Sequence, residues 1–171
     1  MSKAFTKEDD FPEPVIQRRT SVLPPMAKNY LTPDGEKKLK AELQELMQIV
    51  SEREQAEGSG PNAEQQAQRE RIQYLKQSLE SAEIVHPPAT GVADKVRFGA
   101  TVKVKEKSGQ ESQYRIVGVD ETDIDRGWVS WLSPVAKALL NKRAGDRVVL
   151  RLPDQVEELE ILSVDYDRNL D

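Results

Sequence analysis

The sequence predicts an α+β protein in which an N-terminal helical hairpin precedes a β-rich domain that contains one short helix. Two observations predict the hairpin: two stretches carry apolar residues at helical spacing, and a Gly-Ser-Gly-Pro run separates them. A third observation predicts the domain, because β-rich segments follow residue 95 with a capped helix among them. Helices followed by strands are typical of the α+β class.

Residues 1–28 are predicted to form a disordered or mobile tail. Four prolines (Pro12, Pro14, Pro24 and Pro25) stand among mixed charges there, with little apolar periodicity. A docking peptide for a partner is the alternative interpretation, although terminal tails are more often simply mobile.

The first helix of the hairpin is predicted to begin at Thr32. Its hydroxyl is suited to the N-cap and Pro33 to the first helical position, while acidic residues follow in the first turn. A heptad seam then runs along the helix through Leu39, Leu43, Leu46 and Val50. Continuing the seam reaches Arg53 and Glu57, so the helix becomes polar toward its end.

The second helix is predicted to begin near Asn62, after the break at 58–61. Its apolar seam consists of Ile72, Leu75, Leu79 and Ala82. Two helices joined by so short a break run antiparallel, which makes residues 29–86 an antiparallel coiled coil, apolar at its base and polar toward its tip. Few bulky apolar residues lie off the seam, and this favours a projecting finger over a hairpin packed flat on the domain.

Residues 87–95, with Pro87, Pro88 and Gly91, are predicted to form a linker, and residues 96–171 a domain. Its predicted strands are 96–105, 113–119, 127–132, 147–152 and 156–166. In the last segment the apolar phase changes between Ile161 and Leu162, which predicts a β-bulge or a bend.

The short helix of the domain is predicted over residues 135–143, with Ser133 as N-cap and Pro134 at the first position. Lys142 and Arg143 would then lie in the last turn, and Gly145 would end the helix. Trp128 and Trp131 are three residues apart on a predicted strand, so one should enter the core and the other should be exposed.

Composition excludes several classes of function. The chain has no cysteine, which excludes disulfides and thiolate metal sites, and no apolar run long enough to span a membrane. The net charge is −5 and no segment has a large basic excess, so a protein partner is favoured over autonomous nucleic-acid binding. We expect a cytoplasmic monomer.

Four segments of the domain, in order, resemble the C-terminal domain of the bacterial GreA/GreB transcription elongation factors. They are Phe98-Gly-Ala-Thr-Val, Tyr114-Arg-Ile-Val-Gly, Ser133-Pro-Val-Ala-Lys-Ala-Leu-Leu and Ala144-Gly-Asp-Arg-Val. The resemblance implies an FKBP-like fold, a twisted antiparallel sheet wrapped partly around one helix. With the coiled coil in front, it extends over about residues 30–166 and suggests a divergent, GreB-like member.

The resemblance also implies a partner and a mode of action. Such factors dock on RNA polymerase beside its secondary channel and contact nucleic acid only through that complex. They need no cofactor of their own, since Mg²⁺ acts at the polymerase active centre and the polymerase itself cleaves the transcript. The docking residues implied here are Asp120 and Glu121 of an acidic loop, together with Ser133, Pro134 and Lys137.

The coil tip (Gly58, Ser59, Gly60, Pro61 and Asn62) departs from the family pattern. Cleavage-stimulating members carry Gly-Asp-Leu/Arg-Xaa-Glu-Asn-Ala-Glu/Asp there, and the two acids before Asn-Ala help to hold a second Mg²⁺. Asn62-Ala63-Glu64 matches the end of that motif, which places the catalytic Asp at Gly58 and the catalytic Glu at Pro61. Neither side chain can bind a hard cation. The helices also look about two turns shorter, a retraction on the order of 10 Å.

The residues leave other functions open. Glu57 or Glu64 could replace the missing carboxylates and keep cleavage stimulation, or the coil could be an adaptor for another partner. Prolyl isomerisation is disfavoured, because aromatic residues make up only 5% of the chain. The loop from Asp120 to Asp125 lacks the spacing of an EF-hand, and the single His86 has no neighbouring ligand.

Overall fold

The computed structural model of the chain describes residues 23–56, 62–88 and 94–166. The helices in these residues are α1 Pro33–Gln55, α2 Ala63–Ser81 and α3 Pro134–Leu139. The strands are β1 Asn29–Leu31, β2 Ala82–Ile84, β3 Ala100–Glu106, β4 Glu111–Val117, β5 Trp128–Ser130, β6 Arg147–Arg151 and β7 Val156–Tyr166, with a 3-10 turn at Val119–Glu121. The α+β class predicted from the sequence is confirmed. In the part of the chain that is described, no helix is long and apolar enough to cross a membrane.

Both helices of the hairpin begin where their capping residues predict. The Thr32 hydroxyl accepts the Gly35 N–H at 3.0 Å, and Pro33 occupies the first helical position. Asn62 and Gln65 form a capping box at the start of α2, with the Asn62 side chain accepting the Gln65 N–H at 2.8 Å. The tip residues 57–61 lie outside the described residues.

The base of the hairpin is apolar, as the seam predicts. Leu31, Leu39 and Leu75 are buried together. Half-buried apolar side chains surround them: Leu43, Leu46, Leu79, Ala82 and Ile84. The sequence did not predict that β1 and β2 pair in parallel across this base, from Asn29–Ala82 to Leu31–Ile84. The prediction that Ala82 belongs to the helical seam is wrong, because α2 ends at Ser81 and Ala82 is the first residue of β2.

Farther from the base, exposed ion pairs join the two helices. Arg71 of α2 binds Glu42 of α1 through two hydrogen bonds of 2.7 and 3.0 Å, and these hydrogen bonds raise the pKa of Arg71. Arg69 pairs with Glu54 at 2.9 Å, and Arg53 pairs with Glu64 at 3.0 Å. Exposed pairs contribute less than about 1 kcal/mol each. The stability of the hairpin is therefore concentrated at its base.

The larger sheet has the strand order β5-β4-β3-β7-β6. Its pairs are antiparallel except that β5 runs parallel to β4, so the prediction of an antiparallel sheet is wrong at this edge. Residues 119–123 turn back after β4, and an isolated antiparallel bridge joins Asp123 to Trp128. This second reversal brings β5 alongside β4 in the same direction.

The predicted bulge is present in β7. Lys103 of β3 pairs with Ser163, but Val104 pairs with Ile161, which leaves Leu162 as the extra residue. The bulge keeps Leu159 and Ile161 in the core while Leu162 is exposed. The core lies between the sheet and α3, and its buried members are Val96, Ala100, Val102, Val104, Ile116, Ala136, Leu139, Val148, Leu150, Leu159 and Ile161.

Helix α3 is shorter than predicted, because it ends at Leu139 and leaves Lys142 and Arg143 outside. The backbone after the helix bonds to Val96 instead: the Asn141 N–H donates to the Val96 carbonyl at 2.8 Å, and the Val96 N–H donates to the Lys142 carbonyl at 2.7 Å. Asn141 adopts a left-handed φ of 66°, and asparagine tolerates this better than most residues. These bonds anchor the start of the domain to the end of α3.

Parts of the predicted tail and linker are described. The Ala27 N–H donates to the Pro24 carbonyl at 3.0 Å, while residues 1–22 lie outside the described residues. Pro87 and Pro88 are described, but residues 89–93, including Gly91, are not. After this gap, the Tyr166 hydroxyl donates to the Lys95 carbonyl at 2.6 Å and accepts the Arg97 N–H at 3.0 Å. The last strand thus anchors the beginning of the domain.

Candidate functional site

The 3-10 turn that follows β4 faces the coil through its first carboxylate. Asp120, expected from the resemblance to lie on a docking face, accepts hydrogen bonds from two side chains of α2. One oxygen accepts the Tyr74 hydroxyl, and the other accepts the Ser78 hydroxyl at 2.6 Å. The carboxylate of Asp120 is therefore engaged within the chain, between the domain and the second helix of the coil.

The next residue, Glu121, binds the first helix of the coil. Its carboxylate accepts the Thr32 N–H at 2.9 Å, the Thr32 hydroxyl, and the Gly118 N–H at 3.0 Å. The Thr32 oxygen accepts the Gly35 N–H at the same time, which directs the hydroxyl hydrogen toward Glu121. A carboxylate at a helix N-terminus is also stabilised by the helix dipole.

Two glycines allow this close approach. A Cβ on Gly35 would lie 2.1 Å from a carboxylate oxygen of Glu121. A Cβ on Gly118 would lie 2.2 Å from the backbone carbonyl oxygen of Tyr30. The second contact is with backbone, so it is relieved only if β1 moves away from the domain.

We expect Gly118→Ala to destabilise the folded chain by about 2 kcal/mol, because the added methyl group separates the coil base from the sheet. Gly118 has a negative φ, so the backbone itself tolerates alanine. Gly109→Ala is the control, since its Cβ meets no neighbour and only its φ of +93° is unfavourable. Thermal unfolding should show a larger loss for Gly118→Ala, and a melting temperature equal to that of the unsubstituted chain would contradict the contact.

Trp128 lies beneath cations at the joint between coil and sheet. Lys38 of α1 is 4.6 Å from its ring centroid, and Arg115 and Arg126 are 4.9 and 5.4 Å away. Trp131 packs on the core and makes a T-shaped contact with Tyr30 at a centroid distance of 5.0 Å. Both tryptophans are half-buried, so the prediction that one would be exposed is wrong. The base of the coil covers the tryptophan surface that the strand pattern predicts to be exposed to solvent.

The other residues implied in docking lie at the N-terminus of α3. The Ser133 hydroxyl accepts the Ala136 N–H at 3.2 Å and caps the helix, as predicted. Pro134 and Lys137 are exposed. The sequence analysis did not single out Ile124, a large apolar residue that is 69% exposed in the turn before β5. The available signal was an isolated large apolar residue inside an acidic loop.

These residues flank β5, which is an edge strand of the larger sheet. Ile124 lies in the turn that leads into the strand, and the other three lie just after it. We call the set Ile124, Ser133, Pro134 and Lys137 the β5 edge surface. An apolar residue beside a strand edge and a helix terminus is suited to contact with another protein.

The two candidate carboxylates near the tip are Glu57 and Glu64. Glu57 lies outside the described residues together with 58–61. Glu64, expected as a possible substitute metal ligand, is paired with Arg53 at 3.0 Å, which favours a role in holding the helices together. No group of three or more metal-ligating side chains occurs in residues 23–56, 62–88 and 94–166, so the acidic loop from Asp120 to Asp125 forms no such cluster.

The chain is similar in sequence to known proteins. Residues 91–166 match the model of the family described as "Transcription elongation factor, GreA/GreB, C-term". The chain is 41% identical to transcription elongation factor GreB of Neisseria meningitidis serogroup B over 154 residues, with 81% of this chain and 94% of that protein covered. It is also 41% identical to transcription elongation factor GreA of Alkalilimnicola ehrlichii over 157 residues, with 82% and 99% covered.

Solved structures give more distant matches. The prokaryotic transcription elongation factor GreA/GreB from Nitrosomonas europaea is 24% identical, with 81% of this chain and all of that chain covered, at a TM-score of 0.40. GreA factor homolog 1 of Thermus thermophilus is also 24% identical, with 81% and 99% covered, at a TM-score of 0.39.

Proposed function

This chain belongs to the GreA/GreB family of transcription elongation factors, and we propose that it acts without ordinary stimulation of transcript cleavage. As a Gre factor it is an accessory factor and not itself an enzyme. In the proposal, the protein binds RNA polymerase beside the secondary channel. Its coil enters that channel and modulates elongating or arrested complexes.

The observation that carries the proposal is the residue pair Gly58 and Pro61, which stand where the family resemblance places the two acids. Two-metal hydrolysis needs oxygen ligands that hold the second cation beside the attacking and leaving oxygens. Glycine has no side chain and proline has only hydrocarbon, so neither can supply such a ligand. Glu64, the first described carboxylate after the tip in the sequence, is paired with Arg53.

The alignment with the Neisseria relative supports a shortened coil. The match runs over 154 positions but covers 81% of the 171 residues here, which is about 139 residues. About 15 positions of the match therefore have no counterpart in this chain, close to one heptad for each helix of the coil. We assign this difference to the coil, because the spacing between the leucine seam and Asn62 is shorter than in cleavage-stimulating family members.

The arrangement of the coil supports a projecting finger. Helix α1 has 23 residues and is about 35 Å long. Its base is fixed to the domain by Thr32 and the Asp120–Glu121 turn, whereas the described distal ion pairs connect the two helices with each other. A rod anchored at one end suits insertion into a channel.

We propose the β5 edge surface as the site that docks on the polymerase. Asp120 and Glu121 belong to this proposed site as residues that hold the turn behind Ile124, since their carboxylates bind the coil. The expected partner surface is apolar opposite Ile124, with a negative group near Lys137.

Ile124→Asp is expected to weaken polymerase binding by at least about tenfold, because it places an unpaired carboxylate in an apolar contact. The substitution should leave folding intact, since Ile124 is 69% exposed. Val156→Asp is the matched control, at 70% exposure but on β7. Fluorescence titration with bacterial RNA polymerase core enzyme measures both affinities. Equal affinities would exclude Ile124 from the docking site.

A further inference from the structure

We propose that Asp120 and Glu121 are positioning residues that clamp the two helices of the coil separately and so set the direction in which the tip points. The inference rests on the proposed function for its consequence, because direction matters only if the coil must enter a channel. The clamp itself is a property of the free chain.

The first support is that two adjacent residues of the turn bind different helices of the coil. Asp120 binds α2 through Tyr74 and Ser78, and Glu121 binds α1 through the backbone and hydroxyl of Thr32. Hydrogen bonds to a charged acceptor are among the stronger ones that proteins make. One short turn therefore holds both helices, and a rotation of either helix about the domain breaks at least one of these bonds.

The second support is a network that extends the clamp into the coil. The side-chain amide of Asn29 donates to the backbone carbonyl of Ser78 at 2.9 Å and to the Ser78 hydroxyl at 3.1 Å. Tyr74 lies under the Arg71 guanidinium, 5.4 Å from its ring centroid, and Arg71 binds Glu42 on the opposite helix. Contacts thus lead from Asp120 through α2 to α1.

The third support is the position of the clamp beside the β5 edge surface. The turn at Val119–Glu121 continues directly to Ile124 and then to β5, and Trp128 of β5 lies under Lys38 of α1. Docking at Ile124 therefore acts on the same short segment that holds the coil.

The geometry of a lever explains why direction should matter. Since α1 is about 35 Å long, a rotation of roughly 10° at its base displaces its far end by about 6 Å. Displacements on the order of 1 Å are enough to change the chemistry of an active centre. If the coil is loosely attached at its base, its tip therefore misses the active centre even when docking is unchanged.

The test measures coil direction in the free chain. The chain has no cysteine, so cysteines introduced at Gln66 on α2 and Lys107 after β3 are the only thiols for spin labels. Distance distributions are recorded for the labelled parent, for Asp120→Ala/Glu121→Ala, and for Tyr74→Phe/Ser78→Ala, which removes partners from the coil and leaves the turn intact. Asp123→Ala is the control, because that carboxylate in the same loop binds the Arg126 N–H and guanidinium.

We expect both clamp variants to broaden or shift the distance distribution and Asp123→Ala to preserve it. Each lost hydrogen bond to a carboxylate should change the equilibrium between held and released coil by about tenfold or more. A parental distribution in both clamp variants would overturn the proposal. If circular dichroism shows that a double variant has lost helix, the single variant Tyr74→Phe decides in its place.

A second measurement separates positioning from docking. With a photo-crosslinker at Gln66 and saturating polymerase core enzyme, Tyr74→Phe/Ser78→Ala should lower the crosslink yield by about fivefold or more while the Kd changes less than about threefold. An unchanged yield would overturn the positioning role. If the parent chain fails to bind polymerase, the proposed function fails, whereas the label distances in the free chain still decide whether the clamp exists.

Discussion

Leu75→Asp is expected to abolish the folded hairpin, at a cost of about 4 kcal/mol. Leu75 is fully buried in one cluster with Leu31 and Leu39 at the base of the coil. The other buried residues of this cluster are leucines, so a carboxylate at position 75 has no cationic partner among them. The free-energy cost of removing it from water is therefore not compensated. The polar distal half cannot hold the helices together alone, because its described ion pairs are exposed.

Circular dichroism and thermal unfolding measure this effect. Gln73→Asp is the matched control, two residues earlier in α2 and exposed, and it should retain the helical signal. Leu43→Asp should give an intermediate loss, since Leu43 is half-buried. The core of the sheet domain should persist, because it consists of other residues. Retention of full helix content by Leu75→Asp would show that the apolar seam is wrongly assigned.

The second large effect is expected from rebuilding the coil. Gly58→Asp and Pro61→Glu, combined with one added heptad in each helix, should convert the protein into a factor that stimulates transcript cleavage at least about tenfold above polymerase alone. The acids supply ligands for the second Mg²⁺, and the added heptads extend each helix by about 10 Å.

The matched variants carry only one of the two changes. The two acids without lengthening should give little or no gain, because ligands held short of the active centre lose most of their catalytic value. Lengthening without acids should give none. Strong cleavage by the double variant without added heptads would show that the coil already reaches the active centre and that loss of the acids is the whole explanation.

Features encoded by nearby residues were predictable from the sequence. The N-caps at Thr32, Asn62 and Ser133 each depend on a hydroxyl or amide three residues before a backbone N–H. The bulge at Leu162 was visible as a change in the period of apolar residues. Such signals are local, so they do not depend on how the domains meet.

Features that depend on distant residues were missed. Glu121 meets Thr32 across 89 positions of sequence, and nothing near either residue signals the contact. The strands β1 and β2 are three residues long, too short to show a period, and they pair only because the hairpin brings its ends together. The family resemblance implies that Asp120 and Glu121 of the acidic loop lie on a docking face, and the loop sequence carries no sign of their contacts with the coil. The joint with the coil gives both carboxylates partners within the chain.

The most direct test of a Gre factor without ordinary cleavage activity uses one backtracked elongation complex with Mg²⁺ and this protein. Binding to the complex and release of short 3′ RNA fragments are measured on the same samples. We expect saturable binding with fragment release no faster than that of polymerase alone. Fragment release clearly above that rate, at concentrations where the protein is bound, would contradict the account.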